Sequence, residues 1–92
     1  MVQLVTYDLK RPGQDYKAVH EAIKSCGSSW WHYLESTWLV ESYQTADEIA
    51  AKVRQHIDQN DRLLVIGVTA DSAGWLPKDA WEWINSHVHQ LA

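Results

Sequence analysis

Four short segments of the chain have the apolar pattern of β-strands. Val2 to Leu9 and Arg62 to Thr69 are apolar on both faces, which is typical of strands at the centre of a sheet. Trp30 to Glu35 and Thr37 to Ser42 lie close together and predict the two strands of a tight hairpin. The sequence therefore predicts a small sheet of four strands.

Three other segments repeat their apolar positions with helical spacing. The first follows Asp15, a residue that can cap a helix, and Gly27 is placed to end it. The second begins at Thr45, which forms a capping-box pattern with Glu48. The third runs from about Lys78 to Gln90.

The predicted order of elements is β-α-β-β-α-β-α. Its first six elements match an α+β, ferredoxin-like split βαβ fold, here with an added C-terminal helix. We expect one domain over residues 1–92, with its core in residues 2–69 and the last helix at about 78–90. Right-handed crossovers put the first two helices on one face of the sheet. Because the other face is also apolar, we expect a partner sheet or the third helix to cover it, which favours a homodimer.

The composition adds three constraints. Six Trp among 92 residues exceed what one small core encloses, so we expect some of them at an interface or around a pocket. The alternative is that Trp simply replaces Phe, which is absent, in the core. A net charge of −4 argues against strong non-specific binding of nucleic acid. A single cysteine excludes an internal disulfide and fits a cytoplasmic location, and the longest apolar run is too short to span a membrane.

Three stretches of the chain carry a resemblance to a known family. These are Val5-Thr6-Tyr7-Asp8-Leu9, the hairpin from Trp31 to Val40, and the segment from Asp58 to Ile66. Together they resemble the CRISPR-associated adaptation protein two family. The chain is still more similar to small bacterial SinR-like proteins, in which Tyr-Asp-Leu, Trp-Trp-His-Tyr-Leu and Ser-Thr-Trp-Leu-Val segments recur together.

The resemblance implies a ferredoxin-like homodimer. In some members of the adaptation family, an Asp at the position of Asp8 is associated with metal-dependent nuclease activity, and the dimer brings two such residues together. The resemblance further implies that Ser36 lies near this site. Through their oxygens, paired Asp8 carboxylates could hold Mg²⁺ or Mn²⁺ as the cofactor. The chain departs from the family in its acidic charge and in the Trp-rich segment at its C-terminal end.

The residues themselves leave several interpretations open. Asp8 is a candidate metal ligand and catalytic residue, or else it caps the loop from Leu9 to Gly13. Lys10 and Arg11 form either a small anion-binding loop or a solvated one.

The aromatic hairpin either packs at a dimer interface or stacks on bases or a ligand. His32 is a candidate general base or ligand, whereas His20, His56, His87 and His89 show no convergent spacing in the sequence. For all five histidines the alternative is a surface or packing role. The candidate binding residues are Tyr7, Lys10, Arg11, Trp31, His32, Tyr33 and Trp38.

Three functions are compatible with these residues. The first is metal-dependent phosphodiester hydrolysis at paired Asp8 residues in a homodimer. The second is a non-catalytic, antitoxin-like or defence-related module that binds a protein partner through its Trp-rich surfaces. The third is a nucleotide-binding module that uses the Lys10-Arg11 loop and aromatic stacking.

Overall fold

A computed structural model describes residues 1–10 and 16–88 of the chain. The elements follow the predicted order. The strands are β1 (Val2–Asp8), β2 (Ser29–Leu34), β3 (Thr37–Glu41) and β4 (Arg62–Gly67), and the helices are α1 (Tyr16–Lys24), α2 (Ala46–Arg54) and α3 (Lys78–His87). The predicted cap Asp15 lies outside the described residues.

The four strands form one antiparallel sheet in the order β2-β3-β1-β4. This order and the β-α-β-β-α-β-α succession confirm the ferredoxin-like split βαβ fold with an added C-terminal helix. Strand β1 lies between β3 and β4, which confirms the prediction that it is a central strand. The prediction that Arg62 to Thr69 is a central strand was wrong, because β4 is an edge strand whose apolar outer side chains stay partly exposed.

Local sequence determines where the later helices begin and end. The Thr45 side chain accepts a hydrogen bond from the Glu48 backbone N–H, and the Glu48 carboxylate accepts one from the Thr45 N–H, so the predicted capping box is present. Helix α3 starts after Pro77 and ends at His87, earlier than the predicted position 90. The reason is that Val88 has an extended backbone, with φ −91° and ψ 116°. Residues 89–92 lie outside the described part of the chain.

One face of the sheet is covered by α1 and α2. Val5 and Trp38 point from the two middle strands into this layer and are buried. Val19 and Ile23 of α1 meet them there, since residues four apart share one helix face. Ile49 and Val53 of α2 complete the same core.

The other face is partly covered by α3 of the same chain. Ala80 and Ile84 of the helix are buried against Trp31 and Leu39 of the hairpin strands. The Trp31 indole donates to the Ala80 carbonyl oxygen at 3.2 Å. At the edge strand β2, the Trp83 indole donates to Ser29 Oγ at 2.9 Å. These two bonds hold α3 over the β2 and β3 half of the sheet.

Two apolar residues of β4 lie beyond the reach of α3. Leu64 and Ile66 are 53% and 51% exposed, and they pair across the ladder with Thr6 and Leu4. Because paired residues point to the same side of a sheet, all four lie on the α3 side. We call Leu4, Leu64 and Ile66 the β4-side apolar strip.

The helices in the described part of the chain are too short and too polar to span a lipid bilayer.

Gly27 is expected to be essential for the approach of the α1–β2 connection to β3. A Cβ at this position would overlap the Glu41 carbonyl oxygen and lie 2.6 Å from Val40 Cγ1. Gly27→Ala should therefore lower the free energy of unfolding by about 1–3 kcal/mol, measured by urea denaturation. The matched control is Gly67→Ala, whose Cβ would meet only flexible side-chain ends, beginning with Met1 Sδ at 3.3 Å. Equal losses in the two variants would contradict this explanation.

Candidate functional site

The candidate acidic residue Asp8 is the last residue of the central strand β1. Its side chain is 63% exposed, and one carboxylate oxygen lies 2.6 Å from the Lys10 ammonium nitrogen. Its cross-strand partner on β4 is Arg62, so two cationic residues accompany this carboxylate. By the alternation along β1, Asp8 points to the same side of the sheet as Thr6 and the β4-side apolar strip.

Ser36 lies at the same end of the sheet as Asp8. Its backbone carbonyl oxygen accepts a hydrogen bond from the Tyr7 N–H at 3.2 Å and another from Thr6 Oγ1 at 3.2 Å. Thr6 Oγ1 also lies 3.0 Å from Thr37 Oγ1. These bonds fasten the β2–β3 turn to the last residues of β1.

The segment after Asp8 is held by a carboxylate that the sequence analysis did not single out. Asp61 is buried, accepts a hydrogen bond from the Lys10 N–H at 2.8 Å and closes its own turn by accepting from the Asp58 N–H at 2.8 Å. Asp61 thus holds the Lys10 backbone in place, whereas the Asp8 side chain pairs with the Lys10 ammonium. Arg11, Pro12 and Gly13 of the predicted anion-binding loop lie outside the described residues.

A single copy of residues 1–10 and 16–88 offers no group of three or more His, Cys, Asp or Glu side chains that could hold a metal ion. One carboxylate oxygen ligand is the right kind of donor for Mg²⁺ or Mn²⁺. Such ions usually require more than one anionic ligand, however, so Asp8 fits this role only if a second source of ligands joins it.

The sheet separates the predicted binding residues into two groups. Tyr7, His32 and Trp38 lie on the α1 and α2 side, where the His32 ring stacks on Trp38 with 3.9 Å between ring centres. Trp31 and Tyr33 lie on the α3 side, with 5.2 Å between their ring centres. These five residues therefore cannot line one continuous site within a single chain.

The structure also brings together two histidines that have no recognisable spacing in the sequence. His20 of α1 and His32 of β2 have ring centres 5.2 Å apart. His20 Nε2 lies 2.9 Å from the Tyr7 hydroxyl, which accepts a longer hydrogen bond of 3.4 Å from the Trp38 indole. The separation of His20 and His32 by 12 positions along the chain gives no sign of this pairing. The useful signal was that alternation puts Trp30 and His32 on the same face as Trp38.

Burial is the main cause of shifted pKa values at Tyr7 and His20. It raises the pKa of the Tyr7 hydroxyl, an effect that the hydrogen bond from Trp38 partly opposes. It also lowers the pKa of His20, and neighbouring His32 and Lys24 lower it further while Glu21 opposes them. His32 Nε2 lies 2.9 Å from the Glu35 carbonyl oxygen, which can only accept, so this ring nitrogen carries the proton. Burial thus favours the neutral forms of Tyr7 and His20 in this packed cluster.

Cavities lie against the sheet in the described part of the chain, and one of about 210 Å³ is lined by Thr6, Asp8 and Arg62. Two others are larger. The larger, about 430 Å³, lies between α2 and β4 and is lined by residues of mixed charge that include Arg54, Asp58 and Arg62. The second, about 230 Å³, lies on the α3 side between the sheet, the helix and the connection from β4. Its walls are mainly apolar and include Trp31, Leu39 and Ile84.

Comparison with known proteins supports the fold alone. No family model matches the chain, and no curated protein matches it. Among solved structures, the chain is similar to a hypothetical protein, TT1823, from Thermus thermophilus, with a TM-score of 0.56 and 20% sequence identity. That similarity covers 83% of this chain and 93% of the Thermus protein. It therefore defines this chain as a small ferredoxin-like α+β protein and says nothing of its activity.

The lowered pKa of His20 predicts a specific loss of stability in acid. Since the unfolded chain takes up a proton near the ordinary histidine value of 6.5 and the folded His20 resists it, stability should fall as the pH drops through and below that value. We expect the Tm of the wild type to fall more steeply than that of His20→Gln between about pH 7.5 and about pH 5. His56→Gln, which changes an exposed histidine, should behave as the wild type. Parallel curves for all three proteins would refute this role of His20.

Proposed function

We propose that the protein is a homodimer in which two Asp8 carboxylates, one from each copy, form a site for Mg²⁺ or Mn²⁺ that supports phosphodiester hydrolysis. The observation that carries this proposal is that Asp8 shares one side of the sheet with Leu64 and Ile66, which are exposed by about half. A second copy packed on that side would remove these apolar side chains from water. The same packing would bring the two carboxylates to a common axis.

The chemistry of the residues at this end of the sheet suits an anionic substrate. Asp8 supplies hard oxygen ligands, and the second copy would double their number. When bound, the metal ion would stabilise the charge that develops on the phosphate oxygens. Lys10 and Arg62 lie beside the carboxylate and can bind other oxygens of a phosphodiester through charge-assisted hydrogen bonds.

Asp8→Asn tests the proposed hydrolysis directly. The wild type should cleave RNA, DNA or a cyclic dinucleotide only with Mg²⁺ or Mn²⁺ present, and Asp8→Asn should lower that rate by about 10²–10³-fold, since it removes the only charged metal ligand assigned to each copy. The measurement is the initial rate with purified protein, with a chelator as the metal-free control. Asp79→Asn, which neutralises an acidic residue in the first turn of α3, should keep the wild-type rate. A wild type that cleaves none of these substrates, or equal rates in all three proteins, would exclude the hydrolytic function.

A non-catalytic protein-interaction module is the second candidate function. It is favoured by an exposed aromatic surface on the α1 side of the sheet, where Tyr16 and Trp30 are both exposed and the Lys24 ammonium lies 4.9 Å from the Trp30 ring centre. Such amphipathic rings are enriched at protein interfaces. Under this function, Trp30→Ser should abolish co-purification of a stoichiometric partner, whereas Asp8→Asn should retain it. The opposite pattern would favour the Asp8 site.

A further inference from the structure

The cavity on the α3 side is a mainly apolar space beside the proposed dimer face. Leu4 and Leu39 of the sheet form its floor, and Trp81 and Ile84 of α3 form one wall. Its rim is polar and includes Asp71. Its volume of about 230 Å³ exceeds the roughly 150 Å³ of an apolar cavity that binds benzene, so a bicyclic indole ring is a suitable occupant in size.

A solvent-exposed indole, that of Trp75, belongs to a connection beside this cavity. The Trp75 side chain is 98% exposed, and it belongs to the connection between β4 and α3 that supplies part of the cavity lining. Its neighbour Leu76 lines the cavity. Gly74, which precedes it, has φ 156°, a conformation that side-chain-bearing residues rarely adopt. Trp75 is thus exposed to solvent and does not line the cavity of its own chain.

We propose that Trp75 of one copy inserts into the α3-side cavity of a second copy, and that the second copy's Trp75 inserts reciprocally into the first. This inference rests on the proposed homodimer and identifies its central contact. A twofold interface requires self-complementary surfaces, and an apolar projection beside an apolar cavity provides both halves on one face. The indole N–H would find an acceptor in the Asp71 carboxylate at the rim.

The surrounding surface continues this contact toward Asp8. Leu4 lines the cavity and pairs across the ladder with Ile66, and Thr6 pairs in the same way with Leu64. Two inserted Trp side chains would bury about 300–500 Å². A stable interface buries roughly 1,200–2,000 Å² in total, so the β4-side apolar strip and the surface around it would have to supply the remainder. A second copy whose Trp75 fills the cavity would therefore also cover the β4-side apolar strip.

Trp75→Ala should weaken dimerisation by at least about 30-fold, because buried Trp side chains are common hot spots of protein interfaces. The measurement is sedimentation equilibrium of the full chain over a range of concentrations, with circular dichroism to confirm folding. Tyr43→Ala is the matched control, since it removes another fully exposed aromatic ring, at 104% exposure, from a different connection. Tyr43→Ala should dimerise as the wild type does.

A second variant tests the cavity itself. Thr69→Trp changes an exposed residue of the cavity lining and should fill the mouth with a side chain of the same chain. Alone, it should dimerise as weakly as Trp75→Ala. Mixed in equal amounts, the two variants should associate more tightly than either does alone, because the mixed dimer retains one intact Trp75 and one open cavity. Association of the mixture no tighter than that of either variant would overturn the insertion.

The failures of the two proposals are distinguishable. If Trp75→Ala remains as dimeric as the wild type, the insertion is wrong whether or not Asp8-dependent cleavage is found. If Trp75→Ala is monomeric and the dimeric wild type shows no Asp8-dependent cleavage, the insertion stands and the hydrolysis fails. A wild type that stays monomeric at all concentrations overturns both.

Discussion

The structure depends on one constraint, which is that a four-stranded sheet with two apolar faces must be covered by a chain of 92 residues. The hairpin strand β3 shows the problem most clearly. Trp38 is buried beneath α1 and α2, whereas the next residue, Leu39, is buried beneath α3. A strand buried on both sides requires a layer on each, and a small domain has few residues to build them.

The third helix meets this constraint only in part, and the reason is its attachment. Its two indole hydrogen bonds, from Trp31 to Ala80 and from Trp83 to Ser29, both join it to β2. Each such bond contributes about 0.5–1.5 kcal/mol and also fixes direction, so the helix lies toward one edge of the sheet. Strand β4 at the opposite edge keeps Leu64 and Ile66 in water. The exposed strip and the neighbouring cavity are thus consequences of where α3 is anchored.

Sequence alone predicted the fold because its local signals agree with one another. Alternation along β1, the capping box at Thr45 and the apolar spacing of the helices all point to the same order of elements. The edge position of β4 was not predictable in this way. A strand that is apolar on both faces normally indicates a central position, and the strand order β2-β3-β1-β4 shows otherwise.

The candidate site was less accessible to sequence reasoning because its contacts join distant segments. Asp8 and Ser36 were named from a resemblance, and the bonds from Thr6 and Tyr7 to the Ser36 carbonyl now give their common location a physical basis. The bond from Lys10 to Asp61 spans 51 positions, and no periodicity reveals such a pair. The pairing of His20 with His32 similarly requires the packing angle of α1 on the sheet.

The charged groups around Asp8 link the proposed dimer to the proposed metal site. In a single chain this carboxylate is already paired with Lys10 and lies opposite Arg62, which is an arrangement that solvent and salt screen effectively. A second copy on the α3 side would lower the local dielectric and add a second carboxylate to the same region. Two carboxylates brought together in this way repel one another unless cations lie between them. The side chains of Lys10 and Arg62 can neutralise part of this negative charge, and a divalent ion bound between the carboxylates can neutralise it as well. The same interface that covers Leu64 and Ile66 would therefore favour the binding of a metal ion.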